Sequence, residues 1–198
     1  GPWHTPDHKA EGSLADVRIS IADMLTPEKV MDIMQFFTLF STDKKHRKIK
    51  IICRYQQYEA ANLIVERVKE NKIKQGLIWH FQGSGKSLLM VFAAQKLRMI
   101  PELQNPTVVI VDDRIDLETQ ITGDFNAADI PNLQSLATKE ELMNFFEQDM
   151  RKIAITTIFR FGDVEKALNM RDNIILMVDE AHRTQEGDLG EKMRLALP

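Results

Sequence analysis

The stretch FQGSGKS, residues 81–87, decides the fold. Gly83 and Gly85 allow the backbone to turn its amides inward around a phosphate, because neither residue carries a Cβ atom that would clash. Lys86 supplies a mobile positive charge for β and γ phosphates, and Ser87 supplies a hydroxyl suited to Mg²⁺. The stretch therefore predicts a phosphate-binding loop in a fold of the α/β class. The residues expected to surround the phosphates are Gln82, Gly83, Ser84, Gly85, Lys86 and Ser87.

One position departs from the strict pattern of this loop. The pattern G-x-x-x-x-G-K-[ST] has glycine where this chain has His80. The prediction therefore depends on GSGKS and its setting, which is an apolar strand-like run at residues 77–80 and a helical pattern at residues 86–99.

A second motif, DEAH at residues 179–182, follows the apolar run IILMV. An acid at the carboxyl end of a parallel strand, here Asp179, is suited to hold Mg²⁺ through water, and Glu180 beside it can orient and deprotonate an attacking water. His182 is expected to sense the γ-phosphate, with a buried structural histidine as the alternative. The two motifs complete each other as a site for nucleotide hydrolysis.

Strand-like and helix-like patterns alternate from Arg54 onward, and this alternation predicts right-handed crossovers and a parallel sheet with helices on both faces. The residues predicted as strands are 49–53, 77–80, 107–111, 152–156 and 174–178. The residues predicted as helices are 58–70, 86–99, 116–121, 139–150 and 164–170.

The amino-terminal part lacks this alternation. Residues 1–25 show no sustained periodicity and are predicted to be irregular, whereas Thr26 as N-cap and Pro27 in the first turn predict a helix that extends to about residue 40. The basic run 43–50 is interpreted as a solvated loop, with a phosphate-facing patch as the alternative. Residues 1–47 are thus predicted to be a lead-in and helical linker, and residues 48–198 one nucleotide-binding lobe.

Composition limits the class of protein. A chain of 198 residues with 43% hydrophobic and 28% charged residues is typical of one globular domain, and its apolar runs are too short to span a membrane. The start resembles no signal peptide, so the cytoplasm is the expected compartment. The net charge of −3 means that any DNA contact must use a local basic patch. Cys53, the single cysteine, is expected to be a buried inert thiol, and the chain has no combined Cys/His pattern of a structural zinc site, so no structural zinc is predicted.

Five segments carry a resemblance to a known family. They are RYQQ (54–57), HFQGSGKS (80–87), IVDDRIDLETQ (110–120), TTIFRF (156–161) and DEAHRTQEG (179–187). Together they resemble the restriction, or motor, subunit of type I restriction enzymes, a member of helicase superfamily 2, over about residues 26–198. The resemblance implies a RecA-like lobe that uses ATP and Mg²⁺, acts on double-stranded DNA, and works with methylase and specificity subunits.

The resemblance also implies roles for individual residues. Arg54 and Gln57 match an adenine-recognition motif, in which an amide pairs with the base and an arginine plane stacks on it; a helix start that packs on its neighbours is the alternative. Another set matches segments that follow the DNA backbone in this superfamily. This set consists of Arg114, Gln120, Thr156, Thr157 and Arg160.

Two other functions stay open at this point: another superfamily 2 DNA or RNA helicase, and a non-catalytic binding module that nucleotide only stabilises. The chain shows one lobe and stops before the next helicase motif of the family. The resemblance implies that the full subunit also has a nuclease domain and cleaves DNA, which this chain alone is not expected to do. Its one E-x-K, Glu70 to Lys72, lacks the acidic strand motif of a nuclease site.

Overall fold

A computed structural model describes residues 14–42, 45, 47–79, 83–112, 130, 132–179 and 188–198. The chain divides into two compact units. Unit 1 comprises Gly1–Phe40 and Lys50–Ala93, and unit 2 comprises Ser41–Ile49 and Ala94–Pro198. Among the described residues, no helix combines the length and the apolar character needed to cross a membrane.

Unit 1 is mainly helical. Helices α1 (Leu14–Met24) and α2 (Pro27–Phe36) come first, α3 (Tyr55–Glu70) follows, and α4 (Lys86–Arg98) begins in unit 1 and continues into unit 2. Strands β1 (Thr38–Thr42) and β2 (Lys48–Ile52) form a two-stranded sheet. The strand predicted at 49–53 and the helices predicted at 58–70 and 86–99 are thereby confirmed to within a few residues.

Two predictions for the amino-terminal part were wrong. Residues 14–24 are helical rather than irregular, and the helix that Pro27 begins ends at Phe36 instead of reaching residue 40. The helix stops because Thr38 begins a strand, and because Phe37 is buried between the rings of Tyr58 and Phe92, with centroid distances of 4.8 and 5.6 Å. Aromatic packing at such distances outweighs the weak helical propensity of phenylalanine.

Cys53 lies in the same core. It is 5% exposed, and burial, followed by the nearby Asp32 carboxylate, raises the pKa of its thiol to about 12. A thiolate is therefore strongly disfavoured there. The prediction of a buried cysteine is confirmed, and its lack of reactivity stays a prediction.

The strand predicted at residues 77–80 is absent from the described residues. Residues 77–79 belong to no strand, and Leu77 and Trp79 are 80% and 90% exposed; His80 lies outside the described part. An apolar run forms a strand only where a neighbouring strand accepts its backbone hydrogen bonds, and no described strand pairs with this one. This part of the prediction was wrong.

Unit 2 contains the parallel sheet that the alternation predicts. Its strands are β3 (Thr107–Asp112), β4 (Leu133–Ser135), β5 (Ile153–Thr157) and β6 (Ile174–Val178), in the order β4-β5-β3-β6. All described pairings are parallel, and every residue of β3 and β5 is buried. Helices α5 (Lys139–Glu147) and α6 (Asp188–Ala196) flank the sheet. The protein thus has a mixed α/β fold consistent with a RecA-like lobe.

Local hydrogen bonds explain where unit 2 departs from the predicted helices. The helix predicted at 164–170 does not form, because the amides of Leu168 and Asn169 donate to the carbonyl oxygen of Ala196 rather than to their own segment. A short 3₁₀ helix, Ile158–Phe161, precedes this segment instead. α5 ends at Glu147 because Asp149 adopts a left-handed backbone with φ of 53°. The helix predicted at 116–121 lies outside the described residues.

Candidate functional site

The phosphate loop has the backbone that its glycines predict. Gly83 and Gly85 have φ angles of 79° and 83°, in the left-handed region that favours glycine. α4 begins directly after them at Lys86, and Ser84 between them is fully buried. The start of a helix presents backbone N–H groups and the positive end of its dipole, which favours an anion at this loop.

The two glycines differ in their surroundings. Among the described residues, a Cβ atom at Gly83 would have no heavy atom within 4 Å, whereas a Cβ atom at Gly85 would lie 2.4 Å from Nε2 of Gln57. Gly85 is therefore required by its backbone angle, and an added Cβ atom there would also displace the Gln57 amide.

Gln57 is buried and bonded at both ends of its amide. It lies in the first turn of α3, is 2% exposed, accepts from the Arg54 N–H at 2.8 Å through Oε1, and donates to the Gly85 carbonyl at 2.9 Å through Nε2. The first bond caps α3, because it satisfies an N–H group that the helix leaves unpaired. The second bond joins the start of α3 to the phosphate loop.

Arg54 occupies the N-cap position of α3 with an extended backbone. Its guanidinium has only donors, so the capping of α3 depends on the Gln57 side chain and on the Arg54 backbone. The Arg54 side chain is exposed. An exposed arginine plane at a helix start is available to stack on a base, which stays a prediction.

In unit 2, polar residues collect at the carboxyl edge of the parallel sheet. Asp179 directly follows β6, and its N–H donates to the Val111 carbonyl at 2.9 Å. The register pairs Val111 with Val178 and Asp112 with Thr157, so Thr157, Asp112 and Asp179 stand side by side at the ends of three neighbouring strands. Asp179 is partly exposed, whereas Asp112 is 3% exposed. The carboxyl edge is where open parallel sheets bind ligands.

The segment predicted to follow the DNA backbone begins at the same edge. Thr156 and Thr157 are fully buried, and the Thr156 hydroxyl donates to the Leu136 carbonyl at 3.1 Å. Arg160, in the 3₁₀ helix Ile158–Phe161, is partly exposed, although its Nε is buried and has no hydrogen-bond partner among the described residues. Arg160 is thus the member of this group with side-chain surface open to a phosphate, and the DNA roles stay predictions.

Of the remaining candidate site residues, two lie in the described part of the chain and the others do not. Lys86 and Ser87 occupy the first turn of α4 and are partly exposed. The candidates that lie outside the described residues are Gln82, Arg114, Gln120, Glu180 and His182.

Two features of these sites were not predicted from the sequence. Asp112 is a buried carboxylate beside Asp179; the signal for it was an acid at the end of the apolar run TVVIV. The Gln57 to Gly85 hydrogen bond joins residues 28 positions apart, and no periodicity reports such a contact.

Comparisons with known proteins agree with these motifs. The model of the family SWI2/SNF2 ATPase matches residues 56–198. The chain is 34% identical to the type I restriction enzyme HindI endonuclease subunit of Haemophilus influenzae, over 94% of this chain and 19% of that protein. It is 30% identical to the MjaIXP endonuclease subunit of Methanocaldococcus jannaschii, also named for a type I restriction enzyme, over 91% of this chain and 18% of that protein. The chain thus spans about a fifth of the length of these relatives. They confirm the resemblance to type I restriction subunits inferred from the motifs.

Proposed function

The chain belongs to the SWI2/SNF2 ATPase family, since the family model matches residues 56–198, and from this we propose that it is the ATP-binding and hydrolysing lobe of a duplex-DNA motor. One observation carries the proposal: Gly83 and Gly85 both adopt the left-handed backbone immediately before a helix that begins with Lys86 and Ser87. This is the arrangement that a nucleoside triphosphate needs at its phosphates.

At the phosphate loop, backbone N–H groups and the helix start would receive the phosphates, and the Lys86 ammonium would balance the charge of the β and γ groups. No step at this loop requires a side chain to form a covalent bond. The loop's contribution is to position the phosphates and to stabilise the charge that develops as the terminal phosphoryl group leaves.

The residues present fit a magnesium ion. Oxygen ligands are what Mg²⁺ prefers, and Ser87 and Asp179, two residues that are each partly exposed, carry oxygen groups of this kind. Bound magnesium supplies positive charge that neutralises the phosphate oxygens. Asp179 is held in place by its backbone bond to Val111, so it would offer its carboxylate at a fixed point of the sheet edge. Glu180, the next residue, would accept the proton of the attacking water.

DNA contact is proposed at the carboxyl edge of unit 2. The net charge of −3 opposes DNA over long distances, so binding would depend on local cations such as Arg160. Contacts of this type bind the phosphate backbone and carry no sequence information. Arg114 and Gln120 are proposed to add to them.

The proposal for the full-length protein follows the type I restriction relatives. ATP hydrolysis would drive translocation of double-stranded DNA, and a nuclease domain outside this chain would then cleave it, which makes the whole protein the motor subunit of a type I site-specific deoxyribonuclease. Methylase and specificity subunits would be its partners, and recognition of a DNA sequence would belong to them.

Steady-state ATP hydrolysis by the protein at its full natural length, with and without duplex DNA, tests this function. We expect DNA-stimulated hydrolysis in the wild type, loss of nucleotide binding in Lys86→Ala, and retained binding with hydrolysis about a hundredfold slower or more in Glu180→Gln. The control is Gln56→Ala, which changes an exposed glutamine of α3 and should match the wild type. Binding without hydrolysis in the wild type would favour a nucleotide-stabilised binding module, and strand separation would favour another superfamily 2 helicase.

A further inference from the structure

We propose that the two-stranded sheet of β1 and β2 binds the phosphate backbone of duplex DNA through Lys48 and Lys50. The short connection between the two strands makes them a hairpin, since parallel strands need a connection of a dozen or more residues. The basic run 43–50 is only partly a loop, because β2 already begins at Lys48. The proposal rests on the proposed function for the choice of duplex DNA as the bound polyanion.

The basic hairpin, formed by β1, β2 and the residues that connect them, has an excess of one sign of charge. No acid occurs from Lys44 to Tyr58, although 29 of the 198 residues are acids. A solvated surface usually mixes both signs, whereas an excess of one sign creates a field that attracts the opposite charge. Four described cations of the run are exposed, and these are Lys45, Arg47, Lys48 and Lys50. The hairpin is thus a positive surface on a chain whose net charge is −3.

Lys48 and Lys50 project from one face of a strand. Side chains two residues apart on a strand point the same way and are separated by roughly 6.6 Å along it. Ile49 between them, which points the other way, is 40% exposed, so solvent reaches both faces at this end of β2. Neither lysine forms a salt bridge with a described residue. Two cations are therefore presented in line to a ligand with a row of negative charges.

The opposite end of the hairpin is held in a core. The Cys53 N–H donates to the Phe37 carbonyl at 3.0 Å, which joins the residue after β2 to the residue before β1. Phe37, Leu39 and Cys53 are all buried. A sheet whose base is buried and whose charged end is exposed keeps its lysines in place before a ligand arrives. Such preorganisation lowers the entropy lost on binding.

Duplex DNA has the charge pattern that this surface fits. It carries about one negative charge per 1.7 Å of helix axis, and each phosphate that a lysine neutralises releases condensed counterions. Contacts to phosphates position a protein on DNA but do not read the bases. Binding at the basic hairpin should therefore depend on salt concentration and not on DNA sequence.

Fluorescence anisotropy of a labelled duplex, measured without nucleotide over a range of salt concentrations, tests the inference on the protein at its full natural length. In Lys48→Gln/Lys50→Gln, the slope of log Kd against log salt concentration should fall by about 1.8 for every duplex sequence, the value for two lost phosphate contacts. Lys48→Arg/Lys50→Arg keeps both charges and should retain the wild-type slope. A thermal melt reports whether each variant is folded.

The chain offers a matched control for this double variant. Lys72 and Lys74 are exposed and stand in the same order, KIK, as Lys48 and Lys50. Lys72→Gln/Lys74→Gln changes the net charge of the protein by the same amount, so it controls for long-range electrostatics. It should leave the slope at the wild-type value. An equal fall of the slope in the control would overturn the inference.

Two other results would also overturn it. Charged side chains on a sheet edge can serve only to prevent two molecules from pairing their strands. In that case Lys48→Gln/Lys50→Gln would self-associate in sedimentation experiments while it binds the duplex as the wild type does. If the double variant instead lost binding only to a single-stranded RNA of equal length, the hairpin would belong to an RNA site.

ATP hydrolysis separates this inference from the proposed function. In Lys48→Gln/Lys50→Gln, the DNA concentration that gives half-maximal stimulation should rise, whereas the rate without DNA should stay at the wild-type value. A wild-type protein whose hydrolysis does not respond to DNA would overturn the proposed function. Weaker and less salt-dependent DNA binding by the same double variant would still support the inference.

Discussion

The hydroxyl of Thr156 donates to the carbonyl oxygen of Leu136 at 3.1 Å, which joins β5 to the residue that follows β4. The next residue, Thr157, is equally buried, but its hydroxyl has no hydrogen-bond partner in the part of the chain that the structure describes. Two adjacent threonines of one strand therefore differ in whether their polar atom is satisfied. The difference makes them a matched pair for mutation.

Replacement of each threonine by valine should have unequal effects on stability. Thr156→Val removes a buried hydrogen bond and leaves the Leu136 carbonyl without this partner, so the free energy of unfolding should fall by about 1 kcal/mol or more. Thr157→Val removes an unsatisfied hydroxyl and should leave stability unchanged or slightly higher. Urea denaturation measures both. Equal losses of stability in the two variants would contradict a stabilising hydrogen bond from the Thr156 hydroxyl.

Arg160 should contribute to DNA binding without sequence preference. Arg160→Ala is expected to weaken binding uniformly across duplex sequences. It should also reduce the slope of log Kd against log salt concentration by about 1, the value for one lost phosphate contact. The control is Arg151→Ala, an exposed arginine before the amino end of β5 rather than after its carboxyl end. Binding curves over a range of salt concentrations decide it. A loss confined to one DNA sequence would argue against a backbone contact.

Alanine at the two loop glycines should affect nucleotide binding to different degrees. Gly83→Ala strains only a left-handed backbone, whereas Gly85→Ala adds a clash with Gln57. We therefore expect the larger rise in the Kd for ATP in Gly85→Ala. In the Gln57→Ala background the clash is gone, so the added effect of Gly85→Ala should shrink. Additive effects in this double-mutant cycle would show that the two residues are not coupled.

The raised thiol pKa of Cys53 predicts that the folded protein loses stability at high pH. Its thiol pKa is raised from 9.0 to about 12 in the folded protein, so the folded state holds its proton more tightly than the unfolded state. The contribution is present below pH 9.0 and is lost as pH rises towards about 12. Cys53→Ala should flatten this decline in the free energy of unfolding. Tyr58, whose pKa is raised by burial and by Asp32, adds a decline of the same sign that the variant keeps.

The strands show how far sequence patterns reach. β3, β5 and β6 were predicted to within one residue, because strands covered on both faces are continuously apolar. β4, with the sequence LQS, has too few residues to show a pattern. Residues 77–79 have the apolar pattern but form no strand. An apolar run in the sequence indicates that a segment will be buried, whereas the formation of a strand also depends on a neighbouring strand that pairs with it.

The candidate sites show the same difference between what local sequence predicts and what depends on tertiary contacts. The glycines predicted the left-handed backbone of the loop and the helix that starts at Lys86, because glycine adopts a positive φ at no steric cost. The Gln57 contact with Gly85 and the burial of Asp112 beside Asp179 depend on tertiary placement, so the sequence did not reveal them. The role of Gln57 in base recognition stays a prediction.

ATP-dependent movement along duplex DNA tests the central claim most directly. Translocation by the protein at its full natural length, assembled with the methylase and specificity subunits proposed as partners, can be followed as displacement of a third DNA strand bound at a distance from the loading site. The account predicts ATP-dependent displacement by the wild type and none by Lys86→Ala, with assembly of the complex unchanged. Displacement by Lys86→Ala at the wild-type rate would contradict it.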